Sequence, residues 1–455
     1  MADVIPLTNQ LDPLRELQKA FCLLKLSGDV FICDREQIEA VRSGRDMNGL
    51  EMYRMAAGNL LMRRHLEALP ISTDPKKVIA EFLSSPSTII YDRIAFSPLP
   101  TAETTLNLWG ASKLNSAPGD WNMLKGFLLE DIANGDIRLF RYLMLYLAHM
   151  VQRPGEKPGV MISLIGGQGT GKGTFLRIIE RIWPHSSLLV SDVDHVIGRF
   201  NAAIEGKFAV CMDEALFAGD KRAMDRLKSL VTEPTVTIEQ KNQPRRTIES
   251  YHRFFSASNH AHFAQVDADD RRFMFYKVSE RRQGDAEYWE KLHAAINDPT
   301  VIAAMVHDLT RYDLTRFNVR QRPRTEAHMD QKLRSLTGFD RYWHNVLRTG
   351  DTSPGSDEIY PNGVGWQDGL FVASKALLSG WKGLEKSIRQ FEPHQERDVH
   401  IGLARLCPSA KSGRHLDRGS QKRGFYLPPL SVARAEFEQA MGGKVEWDDQ
   451  CEVEE

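Results

Sequence analysis

The sequence carries almost no net charge. Its 59 lysines and arginines stand against 60 aspartates and glutamates, a formal charge of −1 over 455 residues. That excludes nucleic-acid binding through a global basic field and leaves local patches as the route to such a partner. Cysteine is scarce: Cys22, Cys33, Cys211, Cys407 and Cys451 include no C-x-x-C pair, which argues against a zinc site or a disulfide framework and fits a reducing compartment. No apolar run approaches the roughly 20 residues needed to span a bilayer. The opening Met-Ala-Asp-Val-Ile-Pro has no basic, then apolar, export pattern. The expectation is a cytoplasmic protein with no membrane partner. No internal repeat of solenoid length is present.

What is present is a chain too long for one core, so two or three domains are expected. Phe21–Leu26, Ser-Gly-Asp and Val30–Cys33 read as a hairpin turned at Gly28, within a small α+β region over 1–105. Met123–Met150 has helical spacing broken near Asn134-Gly135, giving a helical lead-in over 106–152. A turn-rich connector at Arg153–Gly159 marks a boundary. From there to 348, apolar runs at 160–165, 208–212, 236–240, 254–258 and 273–278 alternate with helices and define an α/β core. A Gly/Ser/Pro/Asp-rich linker at 349–365, a mixed basic module at 366–447 and an acidic tail at 448–455 complete the expected order.

The first core strand runs into Gly166-Gly167-Gln168-Gly169-Thr170-Gly171-Lys172-Gly173-Thr174, and a helix opens at Phe175. Glycines let backbone N–H groups curl around an anion, and the helix N-terminus adds partial positive charge. Lys172 is placed to reach the outer phosphates of a nucleotide. The hydroxyl usual directly after the lysine is displaced to Thr174, a variant shared with nucleotide kinases.

Two later strands end in polar groups. Phe208–Met212 leads into Asp213-Glu214, which would hold Mg²⁺ and orient an attacking water respectively. Phe254–Ser258 leads into Asn259, an amide able to bond a terminal phosphate. Asp270-Arg271-Arg272 offers an arginine finger, and the sequence does not choose between the two arginines. Between these motifs, Thr235–Lys241 and Arg245–Ser250 flank a turn at Asn242-Gln-Pro244. They read as a projecting hairpin whose Lys241, Arg245 and Arg246 contact DNA phosphates. Farther on, Trp366–Gly383 and 388–406 have helical spacing. A flexible basic run with Lys411, Arg414, Arg418, Lys422 and Arg423 follows, then strand-like Gly424–Leu427. That order reads as a winged helix contacting duplex DNA.

The motif order, with the texts Gly-Thr-Gly-Lys-Gly-Thr-Phe, Gly198-Arg-Phe-Asn201, Asp213-Glu-Ala215, Ser258-Asn-His260 and Asp270-Arg-Arg-Phe273, resembles superfamily 3 helicases of the AAA+ class. The nearest resemblance is to the helicase portion of phage, plasmid and mobile-island primase-helicases, over about 106–279. It implies an AAA+-type P-loop NTPase core between an N-terminal α+β region and a C-terminal winged-helix-like domain. It also implies a homo-hexameric ring that uses ATP and Mg²⁺ to unwind forked DNA while moving on a single strand. The alternatives are an ATP-switched origin-binding initiator without processive unwinding, or a nucleotide kinase. No paired-carboxylate primase site is evident in the first hundred residues, so priming is expected from a separate primase or initiator partner.

Overall fold

Runs of β-branched and aromatic residues too short for helices assemble into a parallel sheet. In the computed structural model, the described residues are 11–46, 49–70, 72–109, 115–214, 221–259, 270–323, 325–352, 358–359, 365–387, 393–417 and 420–447. The strands that frame the first unit are β1 (Met161–Ile165), β2 (Ser187–Val190), β3 (Ala209–Met212), β4 (Thr235–Ile238), β5 (Arg246–Glu249), β6 (Arg253–Ser258) and β7 (Phe273–Lys277). Five of them form one sheet in the order β7-β1-β6-β3-β2, with every neighbouring pair parallel. β1, β3 and β6 are buried along their whole length, which is why they read as unbroken apolar runs. Parallel pairing also brings their C-terminal ends to one rim: Ile165 lies opposite Ser258, and Met212 opposite Val190.

The edge strand β2 is absent from the sequence reading. It pairs only with β3, and of its four residues Leu188 and Val190 alone are buried. Two inward residues among serines give too little pattern to register.

Helix α1 (Lys172–Ile182) starts directly from the glycine loop and buries Phe175, Leu176, Ile178, Ile179 and Ile182, with Phe175 meeting Phe255 of β6 at 6.1 Å between ring centroids. The lead-in is two helices, Asn122–Phe127 and Ile137–Gln152, joined through a π-turn at Leu128–Ile132. Asn134 and Gly135 adopt left-handed φ at the break, and the Asp136 carboxylate caps the second helix. In the N-terminal part, Phe21–Leu26 and Asp29–Asp34 pair as a hairpin, with Ser27 and Gly28 both at positive φ, the geometry of a tight two-residue turn. Its inner residues Phe21, Leu23 and Ile32 pack with Met62, Leu66, Val78, Ile79 and Phe82.

Strands β4 and β5 form the separate hairpin expected before the asparagine strand, with Ile238 opposite Arg246 and Val236 opposite Ile248. Alternation sets which residues look inward. Val236, Ile238, Arg246 and Ile248 are buried, whereas Thr235, Thr237 and Thr247 are exposed.

Described residues on both sides of the expected boundary at Arg153, and on to Pro323 apart from Asp270, belong to one compact unit. Arg253 explains the cohesion. It is fully buried and donates from its guanidinium to the carbonyl oxygens of Arg153, Pro154 and Glu156, pinning the connector.

The other unit is built from Asp270 and the described residues after 324, so helix Gly338–Thr349, assigned above to the α/β core, clusters with it. Strand Leu370–Ala373, helices Ser374–Ser387 and Glu396–Leu406, and a hairpin of Lys411–Asp417 with Ser420–Leu427 follow; helix Leu430–Met441 closes the unit. Trp343, Trp366, Trp381, Phe339, Phe425 and Phe437 are among its core residues. The basic run expected as a flexible loop is itself β-structure, with Arg414 directly opposite Arg423 and His415 opposite Lys422. Among the described residues no helix is long and apolar enough to cross a membrane. The linker is described only in part, and the acidic tail lies outside the described residues.

Candidate functional site

The rim of the parallel sheet gathers residues far apart in sequence. Gly169 and Gly171 take left-handed φ of +75° and +93°, which bends the loop after β1 back toward the start of α1. Thr170 Oγ1 closes the bend by donating to the Gly167 carbonyl at 2.9 Å. Lys172 is buried, and its Nζ donates to the carbonyls of Gly166 at 2.9 Å and Gly167 at 2.5 Å. Burial lowers its pKa, opposed by the nearby charges of Asp213 and Glu280.

Strand β3 delivers Asp213, whose backbone N–H donates to the Val190 carbonyl at 2.8 Å, one step beyond the β2–β3 pairing. Its carboxylate faces the loop: a Cβ built on Gly173 would lie 3.3 Å from Oδ2. Glu214 follows at φ +54°, its N–H donating to Asp213 Oδ1 at 3.1 Å, and is exposed. β6 delivers Asn259, also exposed, beside Gly166, whose N–H donates to the Ser258 carbonyl at 3.3 Å. Gln168 through Thr174, Asp213, Glu214 and Asn259 line one cleft of about 430 Å³.

Arg177, Leu189, Trp289 and His293 line it too, and sequence reasoning missed all four. Arg177 is one helical turn past Gly173 on α1, a spacing that could have flagged it. Trp289 and His293 lie on a helix (Ala286–Asn297) more than a hundred residues downstream, with no local signal. Thr174 Oγ1 meets His293 Nε2 at 3.4 Å, not the Asp213 carboxylate.

Arg271 and Arg272 are not among the lining residues of the cleft. The Arg272 carbonyl accepts from Met161 N at 2.7 Å, and the Arg271 carbonyl from Arg322 Nε at 3.3 Å. The segment precedes β7 at the opposite end from the rim, so neither arginine borders the cleft of its own chain, and the finger expected from them would have to act on a neighbouring subunit.

The basic candidates divide. Lys241 and Arg245 are exposed at the β4–β5 connection, Arg245 pairing with Glu239 at 3.0 Å. Arg246 does not belong with them. It is 3% exposed and donates Nε to Glu205 Oε1 at 2.6 Å, its second nitrogen to Oε2, and further bonds to Gln240 and Leu50. It is a buried ion-pair residue because alternation turns it inward beside Ile248. On the second unit's hairpin, Lys411, Arg414 and Arg423 are exposed and Lys422 is half-buried; Arg418 lies outside the described residues.

Among the described residues, no group of three or more His, Cys, Asp or Glu side chains could hold a metal ion. The chain's chemistry fits a magnesium ion that arrives on phosphates and takes one carboxylate, Asp213.

The class defined by fold and site is thus an α/β protein with a strand–glycine loop–helix motif at the rim of a parallel sheet. Residues 164–272 match a family model described as a family of unknown function, DUF5906. Over 229 residues, 48% of the chain, the sequence is 25% identical to the DNA primase-polymerase of Nitratiruptor phage NrS-1. The chain spans about a third of that relative's length (32%). Solved structures of the NrS-1 C-terminal region share the fold at 15% identity. One apo structure gives a TM-score of 0.59 over 91% of this chain and 100% of that one, and another gives 0.57 over 92% and 100%.

These findings overturn the expected superfamily 3 AAA+ helicase. The matched family is of unknown function and the curated relative is a primase-polymerase, so an ATP hydrolase that unwinds DNA is withdrawn. Neither the ATP-switched initiator nor the nucleotide kinase gains support from these relatives, and none of them points to ATP in particular. Glycine loop, acidic strand end and amide strand end meet at one cleft. They do not state what that cleft is for.

Proposed function

We propose that the chain is a nucleotide- and DNA-binding component of phage replication, corresponding to the C-terminal region of a phage primase-polymerase. Its core is a P-loop-type fold that seats a magnesium-bound nucleoside triphosphate on residues 166–174. Lys172 turns from the loop carbonyls to the outer phosphates, Asp213 meets the phosphate-bound metal, and Asn259 bonds a terminal phosphate oxygen; Glu214 lies on the same wall. The observation that carries this reading is the convergence of Lys172, Asp213, Glu214 and Asn259 on one cleft.

DNA contact falls to Lys241 and Arg245 on the first unit and to Lys411, Arg414, Lys422 and Arg423 on the second, which reads as a winged helix. Arg414 directly opposite Arg423 supports the latter, since like charges across a hairpin are unfavourable until an anion lies between them. The kinship to a phage primase-polymerase supports a DNA partner and the host cytoplasm as the working site.

The test is calorimetric titration of the full chain with nucleoside triphosphates in Mg²⁺. Micromolar binding that Lys172→Ala weakens a hundredfold or more is expected. Equal affinity in the variant would remove the phosphate-loop reading.

A further inference from the structure

The cleft is lined by two chemically different sets of side chains. Asp213, Glu214 and Asn259 are suited to phosphates and metal. Trp289 and His293 project from a single helix, one turn apart. Nothing in the phosphate chemistry calls for two aromatic rings there.

The placement of Trp289 is fixed from three sides. Its Nε1–H donates to the Arg282 carbonyl at 2.9 Å, so its polar edge is already engaged. Phe127 and Tyr288 meet it edge-on at 6.1 and 5.3 Å between centroids. The far edge of its six-membered ring rests on the loop: a Cβ on Gly171 would lie 2.6 Å from Cη2. The ring is nevertheless only half-buried, and what remains open borders the cleft. His293 is exposed, its ring 6.3 Å from the indole, with Nε2 beside Thr174. The two rings thus stand against the glycine loop at Gly171 and the first turn of its helix at Thr174, facing the cleft.

We propose that Trp289 and His293 form the nucleobase seat of this site and select purine nucleoside triphosphates. A purine presents the larger π-face to an indole, and stacking strength rises with shared area. A ring pinned at its polar edge offers a rigid surface, which costs little ordering on binding. His293 closes the seat from the α1 side. The inference rests on the phosphate-loop reading above and adds what the nucleoside end of the ligand meets.

The experiment compares ATP, GTP, CTP, UTP and inorganic tripolyphosphate by calorimetry on the full chain in Mg²⁺. The variants are Trp289→Leu, which keeps apolar bulk against Gly171 and Phe127, and His293→Ala, at an exposed position that the fold does not need. In the wild type, both purine nucleotides are expected to bind at least fivefold tighter than tripolyphosphate or the pyrimidine nucleotides. Trp289→Leu should weaken the purine nucleotides about tenfold and His293→Ala about threefold, each leaving tripolyphosphate within twofold. Equal weakening of all ligands in Trp289→Leu would make Trp289 a loop support and overturn the base seat. So would unchanged purine binding in both variants, or purine and pyrimidine nucleotides binding alike to the wild type. A wild type that binds neither nucleotide nor tripolyphosphate fails differently: it removes the phosphate loop, and the seat with it.

Discussion

Gly173 faces Asp213 so closely that a β-carbon at residue 173 would stand 3.3 Å from the carboxylate oxygen Oδ2. The position that in most phosphate loops carries a hydroxyl is here kept bare, and the carboxylate looks directly onto the first turn of the loop helix. With the Thr174 hydroxyl beside His293, the proposed reading leaves Asp213 as the side chain that would meet a phosphate-bound magnesium.

That arrangement makes metal dependence a property of one side chain. Asp213→Asn removes the charge while keeping the volume. We expect nucleoside triphosphate affinity in Mg²⁺ to fall about tenfold, roughly 1.4 kcal/mol, toward the value measured in EDTA. Titrations of both proteins with and without chelator check this. An undiminished difference between Mg²⁺ and EDTA in the variant would move the metal contact to another group.

Neighbouring arginines on the hairpin should respond in opposite ways. Arg246 and Glu205 form an ion pair with side chains 1% and 0% exposed, and removing one member leaves the other charged and alone. Glu205→Ala or Arg246→Ala should cost about 3–5 kcal/mol of folding stability. Arg245→Ala and Lys241→Ala, on the exposed side, should change stability by less than about 0.5 kcal/mol. They should instead lower the slope of log affinity against log salt for single-stranded DNA by about one each. Denaturation curves and salt-dependent binding separate the two roles. A salt slope identical to wild type in the Lys241/Arg245 double variant would take DNA away from this hairpin.

The contrast shows where sequence reading succeeds and where it stops. Central parallel strands are legible because burial on both faces leaves continuous apolar text, and the strand ends carrying Asp213 and Asn259 follow from them. The N-terminal hairpin is legible from its turn, since the conformation at Ser27-Gly28 is a local requirement. Arg246 was readable in principle, because period-two alternation puts it on the Ile248 face, but its charge drew it to the wrong side. Trp289 and His293 were not readable: their helix reaches the loop only through the tertiary fold. The anchoring of the connector at Arg153 was unreadable for a related reason, as the buried guanidinium of Arg253, a hundred residues away, ties it down. Function was the least legible, because a glycine loop with polar strand ends serves many proteins and the motif order alone pointed to a helicase that the relatives do not support.

The buried His252 gives the first unit an acid-sensitive point. Lys157 Nζ donates to Ser250 Oγ at 2.5 Å, which leaves the serine hydroxyl to donate to His252 Nδ1 at 2.8 Å. The ring's Nε2–H then donates to the Ile204 carbonyl at 3.1 Å. A neutral imidazole thus finds a donor at Nδ1 and an acceptor at Nε2. Burial, with the charges of Lys157 and Arg253 nearby, pulls its pKa down to about 3 from 6.5. A neutral histidine in the fold that would take a proton when unfolded contributes stability that is complete above pH 6.5. It is lost as pH falls from there toward 3, because the unfolded chain then binds the extra proton. Between pH 7 and pH 4.5 this one group should lower unfolding free energy by roughly 2–3 kcal/mol. Urea denaturation followed through the transition of this unit measures the slope. His252→Gln, which cannot titrate, is expected to flatten it by that amount, and a variant as acid-labile as the wild type would place the sensitive proton elsewhere.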